Sequence, residues 1–243
     1  MMPRLRDKNQ VRQWIEKGKK LPLATQNYPS RGQTAIQELY QTKIGKLFLK
    51  KVSQRNHQEC QIDPKSGTLA EREYWAFCLA SFLQLKVPEL ILLDSLTTVQ
   101  IWFDLPDGRQ YTTAQKPLEL QGDNVFNCAL FDWLTAQVDR HDANYLYDFV
   151  KQEIILIDSG HAFLKYNGSL PDYLRIFEAA YIHELHRKRA STLLDRINKC
   201  SRDQLEKLVP LWNVEEKNAL LDRQQQLKNR DTIADIIQLY RKG

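Results

Sequence analysis

The sequence is poor in most features that mark an unusual class of chain. Glycine and proline number 9 each in 243 residues, which excludes collagen-like and low-complexity chains. No apolar run approaches the ~20 residues of a membrane span. The longest lie around 90–93 and 154–157. The first twenty residues are basic and lack an apolar stretch, so no secretory signal is read there. Four cysteines, Cys60, Cys78, Cys128 and Cys200, stand 18, 50 and 72 positions apart, and no pair has CxxC or metal-ligand spacing. We expect four reduced thiols in a soluble cytoplasmic protein. There is no GxGxxG and no recognisable nucleic-acid-binding motif.

What is present is ordinary in amount and uneven in place. Hydrophobic residues make up 42% and charged residues 27%, as in globular proteins. The length suits one large domain or two lobes sharing a cleft. Net charge is +5 overall, but it runs +9 over residues 1–51, −8 over 52–182 and +4 over 183–243. A basic head and an acidic middle fit nucleic-acid contact. They also fit a head that holds an anion beside carboxylates that hold a metal.

Periodicity and turn residues predict a short helix over 10–18, a loop over 21–32, and strands over 34–40 and 46–52 with Gly45 between them. Thr68 followed by Glu71 marks a capping box. The helix it opens has Trp75, Leu79, Phe82 and Leu83 on its apolar face and must end before Pro88. Strands follow over 90–93 and 98–103, then a hinge near 104–121. Residues 125–138 predict a helix with Phe126, Leu130, Phe131 and Leu134 inward. Short strands over 145–147 and 154–157 come next. Beyond Pro171 the chain reads as helical, with a second capping signature at Asn213 and Glu216 and a last helix over 232–240. The fold class is α+β: a small β-rich lobe with one helix over 1–104, and a larger, mainly helical lobe over 105–243.

The chemistry concentrates in Asp139-Arg140-His141-Asp142-Ala143-Asn144 and in Asp158-Ser159-Gly160, which follows the apolar strand 154–157. A loop Asp, an Asn five residues on, and a strand ending in Asp-x-Gly is the layout of magnesium-dependent phosphoryl transfer. Mg²⁺ takes oxygen ligands and keeps several waters, so one Asp and one Asn amide suffice beside phosphates. A separate carboxylate must orient the attacking group and take its proton. Gly160 is expected to turn the chain so that Asp158 aims into the cleft.

Asp-Arg-His-x-x-Asn, followed by Ile-Asp-Ser-Gly-His-Ala-Phe, resembles the catalytic and metal-binding loops of phosphatidylinositol 3/4-kinase-like and HipA-like kinases. Those share the two-lobed protein-kinase-like fold. The resemblance implies ATP and Mg²⁺ as cofactors, with Asn144 and Asp158 on the metal and Asp139 as catalytic base. It leaves His141 either catalytic or a brace for the loop. It implies a strand lysine on the ATP phosphates, Lys50 rather than Lys51, since neighbouring side chains on a strand face opposite ways. It implies a helical glutamate, Glu73, paired with that lysine. It also implies a phosphate-covering loop at Ser30-Arg31-Gly32-Gln33-Thr34, with Gly32, Gln33 and Thr34 in contact with nucleotide. The expected activity is transfer of the γ-phosphate of ATP to a protein Ser/Thr, a small alcohol or a lipid head group. The alternatives are a pseudokinase serving as a nucleotide-binding interaction module, and a nucleotidyltransferase that moves AMP to a protein.

Overall fold

The structure is a computed structural model and describes residues 5–23, 35–109, 124–165, 192–228 and 230. Helix α1 (Lys8–Glu16) starts where the Asp7 carboxylate accepts from the backbone N–H groups of Asn9 and Gln10. Strands β1 (Lys19–Leu21), β2 (Ile36–Thr42), β3 (Gly45–Lys51), β4 (Leu90–Asp94) and β5 (Thr97–Ile101) form one antiparallel sheet in the order β1-β2-β3-β5-β4. The β2–β3 turn passes through Gly45 at φ 118°, a left-handed conformation that glycine adopts without cost.

The alternation along β3 sorts its side chains. Leu47 and Leu49 join Ile91, Val99 and Ile101 on the face that Val11 of α1 covers. Phe48 and Lys50 point the other way. Lys50 lies opposite Thr98 in the register of β3 and β5. Between β3 and the next long helix sit a short helix α2 (Gln54–Glu59) and a single 3-10 turn, Pro64–Ser66.

Helix α3 (Leu69–Phe82) opens on the expected capping box. Glu71 N–H donates to Thr68 Oγ1 at 3.1 Å, and Thr68 N–H donates to Glu71 Oε2 at 2.9 Å. This helix is buried nearly all round, because it lies between the sheet and the helical part of the chain. Trp75, Leu79 and Leu83 enter a core with Phe126, Leu130, Phe131 and Leu134 of α4 (Asn124–Thr135) and with Leu193, Leu205 and Leu220 further on. The hairpin of β6 (Tyr145–Asp148) and β7 (Glu153–Leu156) packs against α4. Helices α5 (Thr192–Lys199), α6 (Arg202–Leu208) and α7 (Val214–Leu227) complete the described part. No helix among the described residues is long and apolar enough to cross a membrane.

Several sequence expectations change. Phe82, the last residue of α3, is exposed rather than inward. The helix expected over 125–138 stops at Thr135, and Ala136 takes a left-handed φ of 46°. Strand β1 and helix α2 went unread because three and six residues are too few to show a period. The capping pair at 213 and 216 is one-sided. Asn213 Oδ1 accepts from the N–H groups of Glu215 and Glu216, but the Glu216 carboxylate is committed elsewhere. The hinge beyond Arg109 and the helix expected over 232–240 lie outside the described residues.

That commitment is to Arg72, which ties α3 to α7. The Arg72 guanidinium is fully buried and donates from Nη2 to both Glu216 oxygens, at 2.9 and 2.7 Å. Nη2 also reaches the Ser66 carbonyl, Nε donates to the carbonyl of Gly67 and Nη1 to that of Ala162. Removing one partner of such a pair strands the other charge in the interior. Glu216→Gln should therefore lower the unfolding free energy in urea by about 3–5 kcal/mol. The double replacement Arg72→Leu with Glu216→Leu should cost less than either single change.

Candidate functional site

The site begins at Lys50. Its Nζ donates to Asp158 Oδ1 and lies 3.8 Å from Glu73 Oε2. Glu73 is buried on α3 and also accepts from Thr98 Oγ1 at 3.2 Å. Three elements distant in sequence thus meet at one ammonium. Burial works against the charge of Lys50, but the carboxylates of Asp158 and Glu73 outweigh it and its pKa is raised. Burial dominates at Glu73 and raises its pKa. At Asp158, burial acts upward, but Lys50 prevails and the carboxyl is held below its usual range. Lys51, one step along the strand, is exposed.

Asp158 reaches Lys50 from an unusual backbone. Its φ is 52°, left-handed and uncommon outside glycine, asparagine and aspartate. Its carbonyl accepts from Gln137 Nε2 at 3.0 Å, and that buried amide leaves its own oxygen unpaired. Such strain persists only where the surroundings impose it. The turn is made by Asp158 itself and not by Gly160. Gly160 instead sits in close quarters: a Cβ there would lie 3.2 Å from the carbonyl oxygen of Leu69, tighter than most Cβ contacts.

The loop 139–144 is held from inside by Arg140. This guanidinium is buried, and Nε and Nη2 donate to Asp132 of α4 at 2.9 and 3.0 Å. Nη1 donates to the carbonyls of Asn144 at 2.6 Å and Ile157 at 2.5 Å, and Nη2 also reaches Ser159 Oγ at 3.0 Å. One side chain therefore joins the loop to the end of the strand that presents Asp158. Asn144 is buried, and its Nδ2 donates to the Asp139 carbonyl at 2.7 Å.

Asp139 is partly open, and its carboxylate faces two imidazoles. Its Oδ2 lies 2.8 Å from His161 Nδ1 and its Oδ1 lies 3.7 Å from His141 Nε2. His141 is half-exposed, and its Nδ1 accepts from Ala143 N–H at 3.2 Å, capping the turn Asp142–Asn144. His161 Nε2 lies 2.9 Å from Cys60 Sγ. Burial acts against the charged ring of His161. Hydrogen bonds to Asp139 and Cys60 prevail and push its pKa up to about 10.

No protein-family model and no curated protein matches this sequence. Solved structures do match. A Helicobacter pylori proinflammatory kinase, CtkA, superposes with a TM-score of 0.51 at 12% identity, over 92% of this chain and 97% of that one. The chain has a kinase-like fold. The open conformation of CtTel1 gives a TM-score of 0.47 at 11% identity, over 85% of this chain and 11% of that one. HipA in the Shewanella oneidensis MR-1 toxin–antitoxin complex with HipB and operator DNA gives 0.40 at 14% identity, over 97% and 71%. At those scores the last two add nothing to the assignment.

The donors of this kinase-like fold fit a magnesium ion. Among the described residues no cluster of three or more His, Cys, Asp or Glu side chains could hold a metal. Asp158 and Asn144 offer a carboxylate and an amide oxygen instead. Because Asn144 Nδ2 is spent on the Asp139 carbonyl, its amide oxygen is the end left to accept. Two hard oxygens, with the other positions left to phosphate and water, suit Mg²⁺. A shallow, solvent-open cleft reaches Glu73 and Asp158, with Phe77, Leu90, Phe131 and Leu156 in its walls. Gly32, Gln33 and Thr34 lie outside the described residues.

Sequence reasoning missed Asp132, Gln137 and His161. Asp132 carried a signal, being the lone charge in a largely apolar helix, and a buried charge needs a partner. Nothing local marks Gln137, whose partner is 21 residues away, and His161 stood in the Asp-Ser-Gly-His segment with no sign that it would meet Asp139 and Cys60. The raised pKa of His161 makes its pair with Asp139 stabilising while the ring is charged. That contribution is full below about pH 6.5 and is lost as pH rises toward 10. Urea unfolding of the wild type and His161→Gln should differ most at pH 6 and converge by pH 10. A gap that does not change with pH would contradict the pairing.

Proposed function

We propose that this chain is an ATP- and Mg²⁺-dependent kinase that transfers the γ-phosphate to a hydroxyl acceptor. The observation that carries the proposal is Lys50, held between Glu73 and Asp158 beside the braced loop of Asp139 and Asn144. The kinase-like fold supports it, and the neighbour CtkA is described as a kinase.

In this reading Lys50 binds phosphate oxygens of ATP, and Glu73 keeps its ammonium in place. Asp158 and Asn144 would hold the ion, which would supply neutralisation of charge on the phosphates. Asp139 orients the acceptor hydroxyl and accepts its proton at a carboxylate oxygen. His141 braces the turn behind Asp139. Residues 1–104 act as the nucleotide-facing lobe, with Gly32, Gln33 and Thr34 covering the phosphates, and residues 105–243 carry the catalytic loops. The acceptor is a protein Ser/Thr, a small alcohol or a lipid head group.

Incubation with γ-labelled ATP and Mg²⁺, with and without acceptors, tests the reaction. Product labelled from α-labelled ATP but not from γ-labelled ATP would mean AMP transfer instead. Lys50→Ala should weaken ATP binding at least tenfold more than Lys51→Ala, and the reverse order would reassign the lysine.

Asp139→Asn should cut turnover by about 10²–10⁴ while sparing ATP binding, because only the proton acceptor is lost. Asp158→Asn should lose both. Asparagine tolerates the left-handed backbone of position 158, so that loss reports chemistry and not misfolding. Equal loss of ATP binding in the two variants would mean that the two roles are exchanged.

A further inference from the structure

Cys60 caps the end of α2, where it is half-buried. Its Sγ lies 2.9 Å from His161 Nε2, and the opposite nitrogen of that ring lies 2.8 Å from Asp139 Oδ2. Thiol, imidazole and carboxylate therefore stand in series. The carboxylate fixes the ring and favours its charged form, and the other ring nitrogen stands at hydrogen-bond distance from the sulfur, where an imidazole can assist a thiol nucleophile. The three other thiols sit differently. Burial pushes Cys78, Cys128 and Cys200 up, which keeps them protonated and poorly nucleophilic.

We propose that Cys60 is a nucleophilic modification site, activated by His161 and Asp139, and that its reaction partner is a peroxide. The sulfur attacks one peroxide oxygen, an S–O bond forms and the O–O bond breaks. The leaving oxygen departs as water or an alcohol with the proton given up by the thiol. Sulfur is oxidised by two electrons to a sulfenic acid, and the peroxide is reduced by two. An oxygen on Sγ replaces the contact to His161 Nε2, and His161 is the group that holds Asp139. Oxidation at Cys60 is thus felt at the proton acceptor. That consequence rests on the function proposed above, whereas the thiol chemistry does not.

The test uses the full chain, limiting hydrogen peroxide and a cyclic 1,3-dione that traps sulfenic acids, read by peptide mass spectrometry. Cys60 should be trapped at least about tenfold faster than Cys78, and His161→Gln should bring it down to the Cys78 rate. Trapping of Cys60 no faster than Cys78 in the wild type would overturn the proposal. If His161→Gln does not fold, iodoacetamide alkylation of the wild type from pH 6 to 9 decides. A nearly flat rate at Cys60 supports the activated thiol. A climb of about tenfold per pH unit, as for a free thiol, counts against it. Peroxide should also stop phosphoryl transfer in the wild type and leave Cys60→Ser insensitive. A preparation with no transfer before treatment would sink the kinase proposal and leave the trapping result standing.

Discussion

The site depends on one buried cation. Arg140 is enclosed by Asp132, the carbonyls of Asn144 and Ile157, and the hydroxyl of Ser159. A guanidinium in the interior is costly unless its donors are matched, and here the matching groups come from α4, the loop 139–144 and the end of β7. The charge can be satisfied only if those three are brought together. Two segments carrying Asp139 and Asn144 on one side and Asp158 on the other are thereby held at a fixed spacing. Asp158 can then bear a left-handed φ, because its neighbours on both sides are pinned.

Helix α3 makes the second connection. It carries Glu73 toward Lys50 on the sheet and Arg72 toward Glu216 on α7, so adjacent residues face opposite partners. Its capping box sets where it starts, and Trp75, Leu79 and Leu83 set how deeply it sinks into the helical core. With Arg72 also bonded to the Ala162 carbonyl, the helix that positions the glutamate is fastened to the chain just beyond Asp158. The ammonium of Lys50 closes the circuit from the sheet side.

Much of this was legible in the residues. The spacing of Asp139, Asn144 and Asp158 singled out the two segments that Arg140 joins, and the alternation of β3 distinguished Lys50 from Lys51. The start of α3 could be read from Thr68 and Glu71 because capping is local, acting across three residues. Glu216 shows the limit of such a signal. The same pattern stood at Asn213, yet its carboxylate bonds Arg72, 144 residues away, since a buried guanidinium competes better than an exposed backbone N–H.

By itself the sequence determined the elements with a clear period, the candidate loops and the facing of side chains along each strand. These follow from interactions between near neighbours. Only the tertiary structure decided that His161 meets Asp139, that Cys60 meets His161, and that the left-handed residue of Asp158-Ser159-Gly160 is the aspartate. Each depends on packing between segments far apart in the chain, where desolvation and the need to satisfy every buried polar group outweigh local preference.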